Sequence, residues 1–231
     1  MNKKQILNEE FLKSIESEYV FSDKPLKRIK SEDKGENIKL KLENLKKKIS
    51  LIENCDLKKN AKQIVFGEGN FNNKIMIVGE GPGEEEDKLG NPFAGDSGNL
   101  LNKMLSAINL KRKNVYITYV VNFRPPEDRK PSSTEINRYS EFLLEHITII
   151  NPKILIIMGS TAMEALVGKN TKISTERGKW KEILIKNKTY LSIITFHPSY
   201  LLKQPEQKKY SWYDLKEIKK KINSLNINLD Q

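Results

Sequence analysis

Apolar residues recur along this chain in two rhythms. From residue 62 onward, near-continuous apolar runs occupy residues 75–78 (IMIV), 115–121 (VYITYVV), 154–158 (ILIIM) and 190–196 (YLSIITF). Runs this short and this apolar predict strands buried on both faces. Between them the spacing changes to the helical one. Residues 99–108 place Leu100, Leu101, Met104, Leu105 and Ile108 on one face, and residues 133–149, 160–167 and 212–225 read as further helices. Strands alternating with helices predict an α/β domain with a parallel sheet covered on both sides, whose ligands bind beyond the carboxyl ends of the strands.

The first fifty residues follow neither rhythm. Residues 23–48 are dense in charge and sparse in apolar positions, although Ile38, Leu40, Leu42, Leu45 and Ile49 loosely fit one helical face. The expected organisation is a charged extension over residues 1–50, with a flexible linker leading into a surface helix, followed by a globular domain over residues 51–231. A DNA-contacting arm is the alternative reading of the extension.

Composition narrows the function. The chain has 231 residues with 37% hydrophobic and 31% charged side chains, enough to build a core and too many for a fully disordered chain. It carries 41 Lys plus Arg against 30 Asp plus Glu, a net charge of +11. That excess favours polyanionic partners through counterion release, although a genome biased toward lysine produces the same excess. One cysteine, Cys55, excludes an internal disulfide and any cluster built from several thiolates of this chain. No signal peptide and no apolar run of membrane-spanning length is evident, so no membrane partner and a cytoplasmic location are expected.

The loops after the strands hold the candidate chemistry. Residues 79–87 (GEGPGEEED) follow the first run, and residues 90–95 (GNPFAG) come next. Residues 122–129 (NFRPPEDR) follow the second run, and residues 197–203 (HPSYLLK) follow the fourth. As a dinucleotide fingerprint the first loop fails: its spacing is G-x-G-x-G, Pro82 interrupts it, and the acids after it repel a pyrophosphate. A phosphate-binding G-x-x-x-x-G-K-[ST] is absent. The Gly95-Asp96-Ser97-Gly98 segment lacks the rest of a serine-protease motif, and Ser97 is expected to cap the helix carrying Leu100 to Ile108. Of the two histidines, His146 lies among Leu143, Leu144 and Ile147 and reads as structural or exposed. His197 ends a strand on the functional rim.

In order, these pieces read G-E-G-P-G-x-x-E-D, G-x-P-F-x-G-x-x-G-x-L-L, V-Y-I-T-x-V-V-x-x-R-P-P, P-K-I-L-I-I-M-G-x-x-A, R-G-x-W and F-H-P-S-Y-L-L. Together they resemble the family 4 uracil-DNA glycosylases across residues 62–224. The resemblance implies a doubly wound four-stranded parallel sheet flanked by helices, and hydrolysis of the bond between uracil and deoxyribose that opens base excision repair. It also implies a base-binding set of Gly81, Phe93, Tyr119 and Asp128, with Phe93 the aromatic on which the extruded base stacks. His197 matches the histidine that meets uracil O2 and offsets charge on the leaving base. Glu86 and Glu80 match acidic positions that orient water or favour the cationic sugar, with Glu86 preferred; Glu84 and Glu85 read as solvated acids. Ser199 and Tyr200 correspond to DNA contacts, Leu201 and Leu202 to a wedge, and Arg124, Arg129 and Lys203 to phosphate contacts. The expected partner is uracil-containing DNA, bound by a monomer.

Two departures stand out. The family's four-cysteine iron–sulfur cluster has Ile52, Cys55, Phe123 and Tyr139 at its positions here, so no cofactor and no metal is expected. And Tyr119 stands where the family has an asparagine that offers a donor and an acceptor to uracil. A phenol has a single rotatable hydroxyl, and its bulk is expected to intrude on the base pocket. Asn122 has the opposite strand parity and should face away. Three other readings stay open: a glycosylase of altered base range, a DNA-binding or damage-sensing relative that does not cut, and a nucleotide-binding oxidoreductase or transferase.

Overall fold

The computed structural model describes residues 34–229. The linker and arm readings of the extension fall largely outside them. The elements run, in order, α1 (Lys34–Ser50), α2 (Asp56–Asn60), β1 (Gly67–Glu68), β2 (Ile75–Gly79), α3 (Glu84–Leu89), α4 (Asp96–Ser106), β3 (Tyr116–Tyr119) and α5 (Ser133–Ile150). There follow β4 (Ile154–Met158), α6 (Ser160–Val167), α7 (Ile173–Glu176), β5 (Trp180–Ile185), β6 (Lys188–Thr195), α8 (Pro198–Lys203) and α9 (Lys208–Ser224).

The sheet has six strands in the order β1-β3-β2-β4-β6-β5. Its centre, β3-β2-β4-β6, is the expected four-stranded parallel sheet. Two antiparallel edge strands correct the expectation of four strands in all. β1 is only two residues long, and β5 shows a half-exposed alternation rather than an apolar run. Both therefore lack the signature of a buried strand.

Side-chain alternation within each central strand feeds two cores. Met76 and Val78 of β2, with Leu155 and Ile157 of β4, join the core on the face covered by α1, α5 and α6. Ile75 and Ile77, with Ile154 and Ile156, join the core covered by α4 and α9. The doubly wound arrangement follows directly. Helix α5 starts at a capping box, in which Ser132 accepts from the Glu135 N–H while the Glu135 carboxylate accepts from the Ser132 N–H. Helix α4 begins differently from the expectation: its N-cap is Gly95 with no side-chain cap, and Ser97 lies on the first turn facing the cleft described below.

Helix α1 is not a detached surface helix. Leu42, Leu45 and Ile49 are buried in the α5-side core, Ile38 packs against it, and only Leu40 of the expected face is exposed. The compact unit accordingly begins at Gly35 rather than at residue 51. His146 of α5 is buried, stacked on Phe66 at 4.5 Å, with Nε2 2.9 Å from the Tyr116 hydroxyl. Burial pushes its pKa down to about 3, so it is a neutral core residue. None of the described helices is long and apolar enough to cross a membrane.

Candidate active site

Loops from the carboxyl ends of β2, β3 and β6 converge on one cleft of about 230 Å³. The β2 loop supplies Glu80, Gly81, Pro82 and Gly83. The β3 side supplies Tyr119, Pro125, Asp128, Arg129 and Pro131. The β6 side supplies His197, Ser199 and Lys203, and Glu86 and Ser97 complete the wall.

The protonation state of His197 follows from its hydrogen bonds. The Ser199 backbone N–H, which can only donate, reaches His197 Nδ1 at 3.2 Å, and the Ser199 hydroxyl lies 2.8 Å from the same nitrogen. Nδ1 is therefore an acceptor, and the neutral ring carries its proton on Nε2. Nε2 is buried and has no partner among the described residues. Burial, helped by the nearby Lys130 charge, pushes the His197 pKa down to about 4. The cleft wall thus holds a neutral imidazole with one uncommitted N–H. Ser199, expected as a DNA contact, is what fixes that tautomer.

The two acids stand in different surroundings. Glu86 is buried, and its carboxylate accepts from the N–H groups of Gly83 at 3.0 Å, Ala94 at 3.0 Å and Gly95 at 3.3 Å. It ties the β2 loop to the loop bearing Phe93, which is a positioning role. The Glu80 side chain has no hydrogen bond or ion pair among the described residues and lines the cleft, so Glu80 is the acid free to meet water or substrate. Glu84 and Glu85 are exposed and pair with Lys88.

Phe93 is not an open stacking surface. It is 2% exposed, with its ring centroid 5.0 Å from that of Tyr119 and 5.3 Å from that of His197. The Phe93 N–H donates to the Tyr119 hydroxyl at 2.7 Å, and burial drives the Tyr119 pKa well above its ordinary value. Tyr119 lines the cleft and Phe93 does not, so the phenol screens the ring on which a base would stack. Asn122 faces away as its parity predicts, donating to the Val65 and Phe66 carbonyls.

Phe93 has φ +51, a left-handed conformation that costs a non-glycine residue about 1–2 kcal/mol and needs surrounding support. Gly98 provides part of it: a Cβ there would lie 1.7 Å from the Phe93 carbonyl oxygen. Arg112, which the sequence reading passed over, provides more. Its guanidinium is bidentate to Glu68 and donates to the carbonyls of Pro92 and Phe93.

Of the expected phosphate contacts, only Lys203 has no carboxylate partner among the described residues. Arg124 pairs with Asp128 at 2.7 Å and lies 3.9 Å from Glu84. Asp128 thus lines the cleft with its carboxylate held by Arg124. Arg129 is bidentate to Glu135, which draws the Glu135 pKa down to about 2. Leu201 is 1% exposed and packs into the core, which rules it out as a wedge, whereas Leu202 and Tyr200 are 43% and 40% exposed. Gly81 lines the cleft as expected, and a Cβ there would press on Val121 at 2.8 Å.

The R-G-x-W segment anchors the strand that carries His197. Arg177 is paired in two contacts with the fully buried Asp214 of α9, and Asp214 also accepts from the Thr195 hydroxyl at 2.8 Å. Arg177 lies over the rings of Phe196 and Tyr210 at 5.4 and 5.3 Å. Gly178, at φ +74, leaves room for the carboxylate, which a Cβ would meet at 2.4 Å. This clamp fixes the two residues immediately before His197.

The positions corresponding to the family's cluster do not fit one. Cys55 is buried with its Sγ 3.3 Å from the Tyr139 hydroxyl; Phe123 and Tyr139 are buried, and Ile52 packs against the same core. A single thiol beside hydrocarbon and phenol cannot supply four thiolate ligands.

Residues 66–217 match the family described as the uracil DNA glycosylase superfamily. The type-4 uracil-DNA glycosylase of Thermotoga maritima is 45% identical over 150 residues, 64% of this chain and 77% of the relative. The type-4 uracil-DNA glycosylase of Archaeoglobus fulgidus is 34% identical over 181 residues, 77% of this chain and 91% of the relative. That of Pyrobaculum aerophilum is 37% identical over 169 residues, covering 70% and 86%. With the parallel sheet, the glycine-rich loop and the strand-end histidine all in place, the chain belongs to the uracil-DNA glycosylase superfamily, within its type-4 group.

Proposed function

We propose that this chain is a DNA glycosylase that hydrolyses the N-glycosidic bond of uracil in DNA and thereby begins base excision repair. The observation that carries the reading is the neutral His197 of the cleft wall, whose Nδ1 is committed to Ser199 and whose buried Nε2–H has no partner among the described residues. As the bond from C1′ to the base nitrogen breaks, its electron pair leaves with the base. A neutral donor fixed beside the developing oxyanion stabilises it without first giving up a proton. Glu80 faces the other charge: its carboxylate favours the cationic sugar and accepts a proton from the water that attacks C1′. The base anion is then protonated from solvent, and the products are free uracil and an abasic site. We place the enzyme as a monomer that works without an iron–sulfur cluster, because the cluster positions offer one thiol. Iron analysis of the purified protein should find no stoichiometric iron.

A second reading rests on Tyr119. A base stacking on Phe93 must first displace the phenol or enter beside it, which favours a base range different from that of relatives with an amide at this position. The deciding experiment is single-turnover cleavage of labelled oligonucleotides holding one uracil, single-stranded or opposite G or A, by the parent, Tyr119→Asn, His197→Ala and Glu80→Gln. Uracil release by the parent, depressed in His197→Ala and Glu80→Gln, is the expected result. Release by Tyr119→Asn alone would transfer the assignment to another deaminated base, tested next with hypoxanthine.

A further inference from the structure

Beside the cleft runs a second groove of about 210 Å³, walled by Leu100 and Met104 of α4, Leu201 of α8 and Leu215 of α9. Its surroundings are unusual for a simple packing defect. Trp212, 44% exposed, forms one side, and Lys103 and Lys208 line it as well. Neither lysine has a carboxylate within 4 Å among the described residues. Tyr213, 57% exposed, follows Trp212, and the Lys216 ammonium lies 4.6 Å from its ring and 5.9 Å from that of Trp212. The lining is otherwise apolar except for Ser211, which is 2% exposed and whose hydroxyl has no partner among the described residues.

We propose that this groove is a nucleotide subsite: it takes one unstacked base of the DNA strand flanking the extruded nucleotide, with the adjoining phosphates on Lys103 and Lys208. Three observations select this occupant. A flat heteroaromatic ring matches apolar walls, an exposed indole to stack on, and a lone buried hydroxyl that needs a polar edge. The unpaired lysines complement a phosphate backbone. And the groove shares two of its helices with the cleft. Helix α4 contributes Ser97 to the cleft and Lys103 to the groove, while α8 contributes Ser199 and Lys203 to the cleft and Leu201 to the groove. In this proposal a strand leaving the cleft crosses α8 to reach Trp212. The assignment rests on DNA occupying the cleft and is independent of which base is cut.

The test uses the full chain carrying Trp180→Phe, which leaves Trp212 as the single tryptophan of the two in the sequence. A fluorescein-labelled single-stranded oligothymidylate is titrated in while anisotropy and indole emission are both followed. Saturable quenching that tracks the anisotropy is expected. In the unmodified background, Trp212→Ala should weaken binding about fivefold or more, as loss of one stacked base does, while Trp212→Phe keeps most of the affinity. Lys103→Glu combined with Lys208→Glu should lower the slope of log affinity against log salt by about two. Binding by anisotropy with unchanged emission, or Trp212→Ala binding as the parent does, overturns the subsite. Concentration-dependent self-association abolished by Trp212→Ala, with no quenching by oligonucleotide, also overturns it and assigns the groove to a second copy of the chain. Uracil release separates the two readings. A parent that releases uracil without quenching removes the subsite alone, and one that binds and quenches without releasing any base removes the glycosylase reading alone.

Discussion

Arginine is scarce in this lysine-rich chain, six residues among 41 basic ones, and each one described holds a defined carboxylate or carbonyl pair. A planar fork does this and an ammonium does not. The R-G-x-W motif already marked Arg177, whereas for Arg112 the scarcity of arginine was a sequence signal. It also explains why Arg124 and Arg129, read from motif position as phosphate contacts, turn out to be committed to Asp128 and Glu135. Lys203 has no carboxylate partner among the described residues, and Lys203→Ala should weaken DNA binding while reducing the salt slope by about one, measured by titration at several ionic strengths. In the proposed mechanism the Nε2–H acts on charge that exists only as the bond breaks, so His197→Ala should lower the single-turnover rate far more than affinity. Glu86→Gln should keep the loop but weaken it, because an amide has one oxygen to meet N–H groups that now meet two.

Two elements show where packing decides beyond local pattern. Helix α1 is among the most charged stretches of the chain, yet Leu45 is fully buried in the core. Leu45→Ala should cost about 2–5 kcal/mol in denaturant unfolding, a loss that a tethered surface helix would not show. Helix α9 holds the His197 strand through Asp214. Asp214→Asn leaves the Arg177 charge without its partner and should cost about 3–5 kcal/mol, with a fall in turnover at saturating DNA as the strand end loosens. An effect on stability with unchanged turnover would confine the clamp to folding.

At the scale of the whole molecule, pH acts through opposing groups. Both histidines are held neutral, with pKa values pushed down to about 4 and about 3 against an ordinary value near 6.5. The unfolded chain therefore binds more protons below about 6.5, and the two histidines lower stability as pH falls through that window. Asp214 acts in the other sense. Burial lifts its carboxyl to about 6 despite Arg177 and Thr195, so its contribution is lost as pH rises through about 6. The histidines, joined by the Glu135 carboxyl that Arg129 holds down to about 2, outweigh Asp214 and leave a net loss of stability on acidification, to be followed as thermal midpoint against pH. Catalysis by neutral His197 should persist to lower pH than an ordinary histidine allows, its acid limb falling near pH 4 in single-turnover profiles corrected for the folded fraction.

The periodicity alone determined the four central strands, α6 to the residue, α5 within one residue, and the rim on which ligand chemistry must lie, because buried parallel strands and two-sided helices are written locally as apolar runs and 3.6-residue repeats. The ordered motifs singled out Gly81, Tyr119 and His197, which the fold brings to one cleft, since motif residues depend on identity at fixed places along the chain. Edge strands β1 and β5 carry too little burial to leave that imprint. Only the tertiary structure decided that Glu86 ties a loop while Glu80 stands free, that Tyr119 covers Phe93, that Leu201 is core and Leu202 surface, and that α1 belongs to the domain. Each of these depends on which partner a side chain meets across the fold, through contacts between residues far apart in the chain, and such pairings are fixed by packing rather than by local pattern.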